Sequence, residues 1–404
     1  MKGSNISFYI FAAGVMFLML YSLHAYFLWW MYDSFYYPLI TDFVVAFLGL
    51  SYMNNRKIPY RLNTKALIVF ILIWIVAAWQ VPGLVFVFKC PFSLLVLLLL
   101  DKKTLLLLLD IWTTLYALIL LVSFIAWPLA LAGLLPLLGV INFGHVDAYY
   151  YLNYIVCLVN VNLVNFDVIR FCSIFLEPGH ISMIGAFTLY VNRFNFKKWT
   201  VWVILFVSLV ALSLAGYVLI AVGYLFIHMQ RTGLLTTLRS AIVSIFVLLA
   251  VYFAAISYKG GNNLVNTLIF ERLEYDKESV IVGNNRVFGD TDVIFEKLLV
   301  SRDIFTGLKP NLYKKYTKDR IIGGAGYKMY ILETGLIGTF LVFIGYMLIY
   351  SRASDKRFVF FFLLLYILAF WQRAWPTSHI WLFLFVFATA VISRKQGSSV
   401  KVSL

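Results

Sequence analysis

Runs of about 18 or more apolar residues recur along this chain, and a run of that length carrying few charges reads as a bilayer-crossing helix. In hydrocarbon every backbone N–H and C=O must be satisfied inside the segment or inside a closed barrel. Barrel strands would leave short alternating segments, whereas these runs are continuous. Hydrophobic residues make up 63% of the 404 and charged residues 13%, against about 45–50% and about 25% in soluble domains. The sequence therefore predicts an all-α, polytopic membrane protein with about 12 transmembrane helices in one integral domain, residues 1–404. The first apolar run ends in His24-Ala25-Tyr26-Phe27-Leu28-Trp29-Trp30, not in a small-residue cleavage site, so it is expected as a retained first span.

A net charge of +15 invites a nucleic-acid reading, but its distribution argues for membrane topology and no nucleic acid. Lys and Arg gather in short connectors: Arg56, Lys57, Arg61 and Lys65; Arg193, Lys197 and Lys198; Arg352, Lys356 and Arg357. Positive-inside orientation makes these connectors cytoplasmic, and with them both termini. Residues 141–177 and 258–327 then become outer loops, the second far larger than a connector. Trp199–His228 is an apolar stretch of about 30 residues, about 45 Å as one helix. A pair of short spans meeting near Ser213 fits better. Thr104–Asp110 is expected along the inner surface, ahead of a span from about Trp112. Cys90, Cys157 and Cys172 form no framework. Cys157 and Cys172 read as small buried residues, with pairing on an oxidising side as the alternative.

Three groups of residues carry chemistry. The segment Arg170-Phe-Cys-Ser-Ile-Phe-Leu-Glu177-Pro178-Gly179-His180 puts Pro178 in a first helical turn, Glu177 at the N-cap and His180 just inside. Charges at an apolar interface are costly unless used or paired, although a snorkelling Arg and a capping Glu account for them equally well. The large loop carries Arg272, Arg286, Arg302 and Arg320, and arginine binds phosphates bidentately without losing its charge. Nine acidic residues accompany eleven basic ones there, so only Arg286, beside Asn284 and Asn285, stands out, with Arg320 behind it. Gly323-Gly324-Ala325-Gly326-Tyr327-Lys328 precedes the next span, where glycines allow close backbone approach or a hinge. Asp290–Phe305 is expected as an amphipathic helix with Phe295, Leu298 and Leu299 on one face. Capping explains Asp290-Thr291-Asp292 better than a metal motif, and no His/Cys cluster has ligand spacing, so no metal and no cofactor are expected.

These residues resemble the O-antigen polymerase family. The resemblance rests on Arg170 followed by Phe-Leu-Glu177-Pro178-Gly179, on Ser213, Gly216 and Tyr217 at a span break, and on a large outer loop ahead of Glu333-Thr334-Gly335-Leu336-Ile337-Gly338. Arg286 and Phe305-Thr306-Gly307-Leu308 are similar to that family's loop region. Related O-antigen ligases carry a His-Asn pair just before the Glu-x-Gly-x-x-Gly segment; Ala325–Met329 contains neither residue, which favours polymerase. The resemblance implies a membrane glycosyltransferase of the GT-C-like polymerase/ligase architecture in a bacterial inner membrane. Its substrate would be an undecaprenyl-diphosphate-linked oligosaccharide, and its partners membrane lipids and a chain-length regulator. Arg170, Glu177 and Arg286 would be catalytic, with His180, Arg320, Tyr327 and Lys328 binding substrate. Glu177 would activate the acceptor hydroxyl or orient Arg170. A lipid-linked oligosaccharide flippase is the competing class; it would bury charges in its spans, where Asp42 is the clearest one here. Replacing Arg286 with Ala is expected to shorten or abolish long polysaccharide chains at unchanged protein level; normal chain length in that variant removes Arg286 from the site.

Overall fold

Backbone groups in apolar surroundings need partners within their own segment, and most of the chain meets this need as helix. The computed structural model describes residues 2–34, 36–57, 64–79, 91–143, 150–160, 169–261, 266, 275–276, 280–281, 289–318 and 326–392. In chain order come α1 (Lys2–Ser22), α2 (Tyr36–Asn55), α3 (Thr64–Ala77), α4 (Phe92–Leu99) and α5 (Lys102–Leu131). A small sheet follows, β1 (Gly139–Asn142), β2 (Tyr150–Asn153) and β3 (Leu158–Asn160). Then come α6 (Pro178–Val191), α7 (Trp199–Val210), α8 (Leu214–Thr232) and α9 (Leu234–Ser257). The large loop contributes α10 (Gly289–Leu299) and α11 (Pro310–Lys318), and α12 (Gly326–Tyr350), α13 (Lys356–Gln372) and α14 (His379–Ala390) close the chain. By length and composition, α2, α5, α8 and α12 can each cross a membrane, and shorter apolar helices pack among them.

Several expectations meet their structural counterpart here. Thr104–Asp110 does not form a separate surface segment but supplies the first turns of α5, which Asp101 caps by accepting from the Thr104 N–H at 3.4 Å. The leucines between offer nothing that breaks a helix. Residues 199–228 do divide near Ser213: α7 ends at Val210, Leu212 takes a φ of +52°, and Ser213 caps α8. The Tyr217 hydroxyl donates back to the Leu209 carbonyl at 2.6 Å, so the chain folds on itself at this break. The described residues of the loop expected at 141–177 carry strands. Its β-branched and aromatic residues, Val140, Ile141, Tyr150, Tyr151 and Val159, form a three-stranded antiparallel sheet, an addition to the all-α expectation. Helix α5 ends at Leu131 ahead of this sheet, and Cys157 and Cys172 are buried and unpaired with each other.

The two ends of the helical bundle differ. At one end lie Arg193, Arg231, Arg352 and Lys356: the Arg231 guanidinium donates to the Arg193 carbonyl and Arg193 reaches Ile392 at the close of α14. At the other end lie the sheet and the large-loop helices. Helix α4 spans only eight residues between them, and its ends are held by opposite charges. Near its start Asp42 accepts from the Ser93 backbone N–H at 3.2 Å and from the Ser93 hydroxyl; at its finish the Arg352 guanidinium binds the Leu98 carbonyl. Both charges match the helix dipole. His379 Nε2 lies 3.0 Å from the same Asp42 carboxylate, so one buried side chain ties α2, α4 and α14 together. Asp42→Ala is expected to cost about 3–5 kcal/mol by stranding these donors, read as a lower unfolding midpoint in detergent. An unchanged midpoint would sink this account of Asp42.

Large-loop residues dock onto α12 through backbone contacts as well as side chains. Helix α12 is broken at Gly335, with φ +66° and ψ −175°. A Cβ on Gly335 would lie 2.5 Å from the Thr306 nitrogen, and one on Gly307 (φ +79°) would lie 2.8 Å from the Leu332 carbonyl oxygen. Only glycine permits both the approach and the left-handed φ. The Leu308 N–H then donates to the freed Leu332 carbonyl at 2.8 Å, and the Trp79 indole N–H to the Thr306 carbonyl at 2.8 Å. Helix α10 packs over this junction, with Phe295 and Leu298 in a small core that includes Ile304, Leu308 and Leu332. Leu299, expected on the same face, is 52% exposed.

Candidate functional site

The site begins with a cation placed where a cation is hard to keep. Arg373 is the residue at which α13 ends, and its side chain is 9% exposed. Its guanidinium donates to the Glu177 carboxylate, and lies 5.5 Å from the centre of the Trp375 ring. Glu177 is the N-cap of α6 with Pro178 in the first turn, but its side chain makes no capping bond there. It serves Arg373 instead. Two glycines make room for this arrangement: a Cβ on Gly179 would sit 2.9 Å from Arg373 Nη2, and one on Gly326 would sit 2.7 Å from Arg373 Cα. The turn that follows is held by Tyr346, whose hydroxyl donates to the Pro376 carbonyl at 2.7 Å, and by Ser378, which donates to the Trp375 carbonyl at 2.8 Å.

Above this turn is a cavity of about 240 Å³ lined by Tyr313, Tyr330, Glu333, Gln372, Arg373 and Trp375, with Gly326, Met329 and Ala374 completing the wall. At about 30 Å³ per water it holds about eight waters, the bulk of one sugar ring rather than of an oligosaccharide. Helix α11 of the large loop contributes Tyr313, whose hydroxyl stands 3.5 Å from Glu333 Oε2. Burial and the neighbouring Glu333 carboxylate push the Tyr313 phenol up from its ordinary value of 10, so it stays a hydrogen-bond donor. The cavity is thus lined by a guanidinium, a carboxylate and aromatic rings.

Below lies a layer of aromatic packing. His180 is buried, with Nδ1 3.4 Å from the Leu23 carbonyl and its ring edge-on to Trp375 at 4.6 Å. His24 stacks on Tyr32 at 4.8 Å and lies 5.5 Å from His180. Burial lowers His24 to about 4 from the ordinary 6.5; the Glu177 carboxylate pulls it back up and Arg373 pushes it further down.

Of the residues singled out from sequence, Glu177 is at the cavity's ion pair and His180 supports Trp375 beneath it. Arg170 donates to the carbonyls of Leu212 at 2.7 Å and Ala211 at 3.4 Å, closing the α7–α8 break. Tyr327 stacks on Trp371 at 4.3 Å, and Lys328 pairs with Asp292 at 2.6 Å. The first joins α12 to α13 and the second fastens α10 of the loop to α12. Arg286 and Arg320 lie outside the described residues, as do Gly323, Gly324 and Ala325. Among the described residues no group of three or more His, Cys, Asp or Glu could hold a metal ion. Sequence reasoning passed over Arg373, although a lone arginine between Trp371 and Trp375 at the end of an apolar run is a signal in itself. Tyr313 gave no signal, because its place depends on how the loop docks.

The fold and the cavity define a helical membrane protein with a polar pocket under a loop-borne roof. Comparison with family models, with curated proteins and with solved structures gives no match for the chain.

The lowered His24 gives a pH dependence of known sign. The unfolded chain takes up a proton near pH 6.5 and the folded one near 4. Stability from a neutral His24 is therefore full above 6.5 and lost as pH falls toward 4, by about 3 kcal/mol at most. His24→Phe is expected to flatten the fall of the unfolding midpoint across that window; an unchanged slope would assign the acid sensitivity elsewhere.

Proposed function

We propose that the chain is an O-antigen-type polymerase, joining undecaprenyl-diphosphate-linked oligosaccharide units by glycosyl transfer at the outer face of a bacterial inner membrane. In this reading the arginine-rich end of the bundle is cytoplasmic, the sheet and the large loop are periplasmic, about 12 apolar helices span the bilayer, and the architecture is GT-C-like. The observation that carries the reading is Arg373, paired with Glu177, on the wall of a cavity roofed by a large-loop helix. A site for lipid-linked sugars needs a fixed cation for the diphosphate, aromatic faces for sugar rings, and a place at the bundle end where lipid and water meet. Arg373, Trp375 and Tyr330, and the junction of α12 with the loop, supply these.

Glycosyl transfer moves the growing chain from its lipid diphosphate to a hydroxyl of the incoming unit. The acceptor oxygen attacks the anomeric carbon, and the bond to the diphosphate oxygen breaks. Negative charge builds on that leaving group, and Arg373, oriented before the reaction by Glu177, stabilises it without reorganisation. Glu177 acts as a positioning residue, orienting Arg373 where orientation of Arg170 was expected. Arg170 stabilises the α7–α8 turn beside the segment that carries Glu177.

A flippase remains the second reading, favoured by the buried Asp42–His379 pair. Deleting the gene separates the two. Loss of a polymerase leaves surface lipopolysaccharide carrying a single repeat unit; complete absence of the unit from the surface would overturn the polymerase in favour of a flippase or a ligase. Arg373→Ala, produced at normal level, is expected to lower polymerisation by about 10²–10³-fold, the usual loss for one electrostatic donor, with Arg373→Lys in between. Chains of ordinary length from the Ala variant would take Arg373 out of the reaction.

A further inference from the structure

Resting on that reading, we infer that Glu333, not Glu177, is the carboxylate that takes the acceptor's proton. The two glutamates stand in different situations. Glu177 is bound to the Arg373 guanidinium and is not among the described residues that line the cavity. Glu333 lines the cavity itself, on the wall formed by α12, while Arg373 lines the wall formed by the α13–α14 turn.

The local fold brings Glu333 there by an unusual route. Helix α12 is interrupted at Gly335, two residues further on, and the Leu332 carbonyl is turned to the Leu308 N–H of the loop. The Gly307–Glu333 backbone approach pins the same residue: a Cβ on Gly307 would lie 2.8 Å from the Glu333 carbonyl oxygen. A glutamate in an uninterrupted helix would have no such anchor. The Tyr313 hydroxyl, carried by α11, meets the Glu333 side chain from the loop side at 3.5 Å. Loop docking and carboxylate placement are therefore one event, and a loop that lifts away takes the phenol with it.

The acceptor O–H gives its proton to a Glu333 carboxylate oxygen as the new bond to the anomeric carbon forms. The pair of electrons in the broken bond leaves on the diphosphate oxygen, facing Arg373. Glu333 later releases the proton to water. The Tyr313 phenol donates a hydrogen bond to the charged carboxylate and so holds it ready as a base.

The test uses the purified full chain in proteoliposomes, with the lipid-linked repeat unit extracted from the deletion strain as substrate. Polymer formation is followed across about pH 5–8, and folding is checked by the unfolding midpoint. Glu333→Gln is expected to lose about 10²–10⁴-fold in rate, the range of a general base, and to lose the acid limb of the pH profile with it. Glu333→Asp keeps an acid limb at reduced rate. Tyr313→Phe stays active, with its acid limb moved to higher pH, because the charged carboxylate loses a donor. A Glu333→Gln rate within threefold of wild type overturns the assignment, and so does an acid limb that persists in Glu333→Gln or stays in place in Tyr313→Phe. Wild-type vesicles that make no polymer at all sink the polymerase reading on which the assignment rests.

Discussion

A guanidinium cannot give up its charge, so burying Arg373 obliges the chain to bring a carboxylate to it. Glu177 is 196 positions away in sequence, and the contact joins the start of α6 to the end of α13. Removing one partner of a fully buried pair costs about 3–5 kcal/mol; the cost is smaller here because the Glu177 side chain keeps 27% of its surface exposed. What the pair gains is direction. Glu177 gives up the capping bond that its N-cap position offers, and Gly179 gives the guanidinium the space a side chain would fill. Trp375 then packs between the arginine and His180, so the layer beneath the cavity is fixed by the same contact.

The roof depends on a different kind of interaction. Thr306-Gly307-Leu308 and Leu332-Glu333-Thr334-Gly335 meet backbone to backbone, which places loop and helix with little freedom. Side chains then reinforce the contact, through Lys328 with Asp292 and Phe295 with Tyr327. A half-buried ion pair alone contributes little; a peptide contact that excludes a Cβ leaves few alternatives. The loop is accordingly a roof set in register with α12, and the carboxylate of Glu333 shares that register.

Much of this fold is legible in the sequence, and the limits of legibility have physical causes. Apolar runs mark helices because hydrocarbon admits few other structures, and the break near Ser213 follows from a run too long for one span. The Glu177-Pro178-Gly179 start of α6 is legible because N-cap and N1 preferences are local. Pairings are not. Arg373, Tyr313 and His379 acquire meaning from residues brought close by tertiary packing, and no periodicity announces them. The small sheet escaped for the opposite reason: its strands are three or four residues long, too short for alternation to show.

Arg170 and Arg373 share a side chain and lie at the same end of the bundle, yet their surroundings divide the work. Arg170 directs donors to the carbonyls of Ala211 and Leu212, groups left over where α7 stops. Its charge is then used against the negative end of a helix, and it holds the α7–α8 turn against the segment leading to Glu177. Arg373 directs its charge at a carboxylate and also forms part of a cavity wall. An arginine whose donors close a helix stabilises the frame, whereas one oriented by a carboxylate beside open volume can meet an arriving anion. Sequence motif singled out the first; burial and partner geometry single out the second.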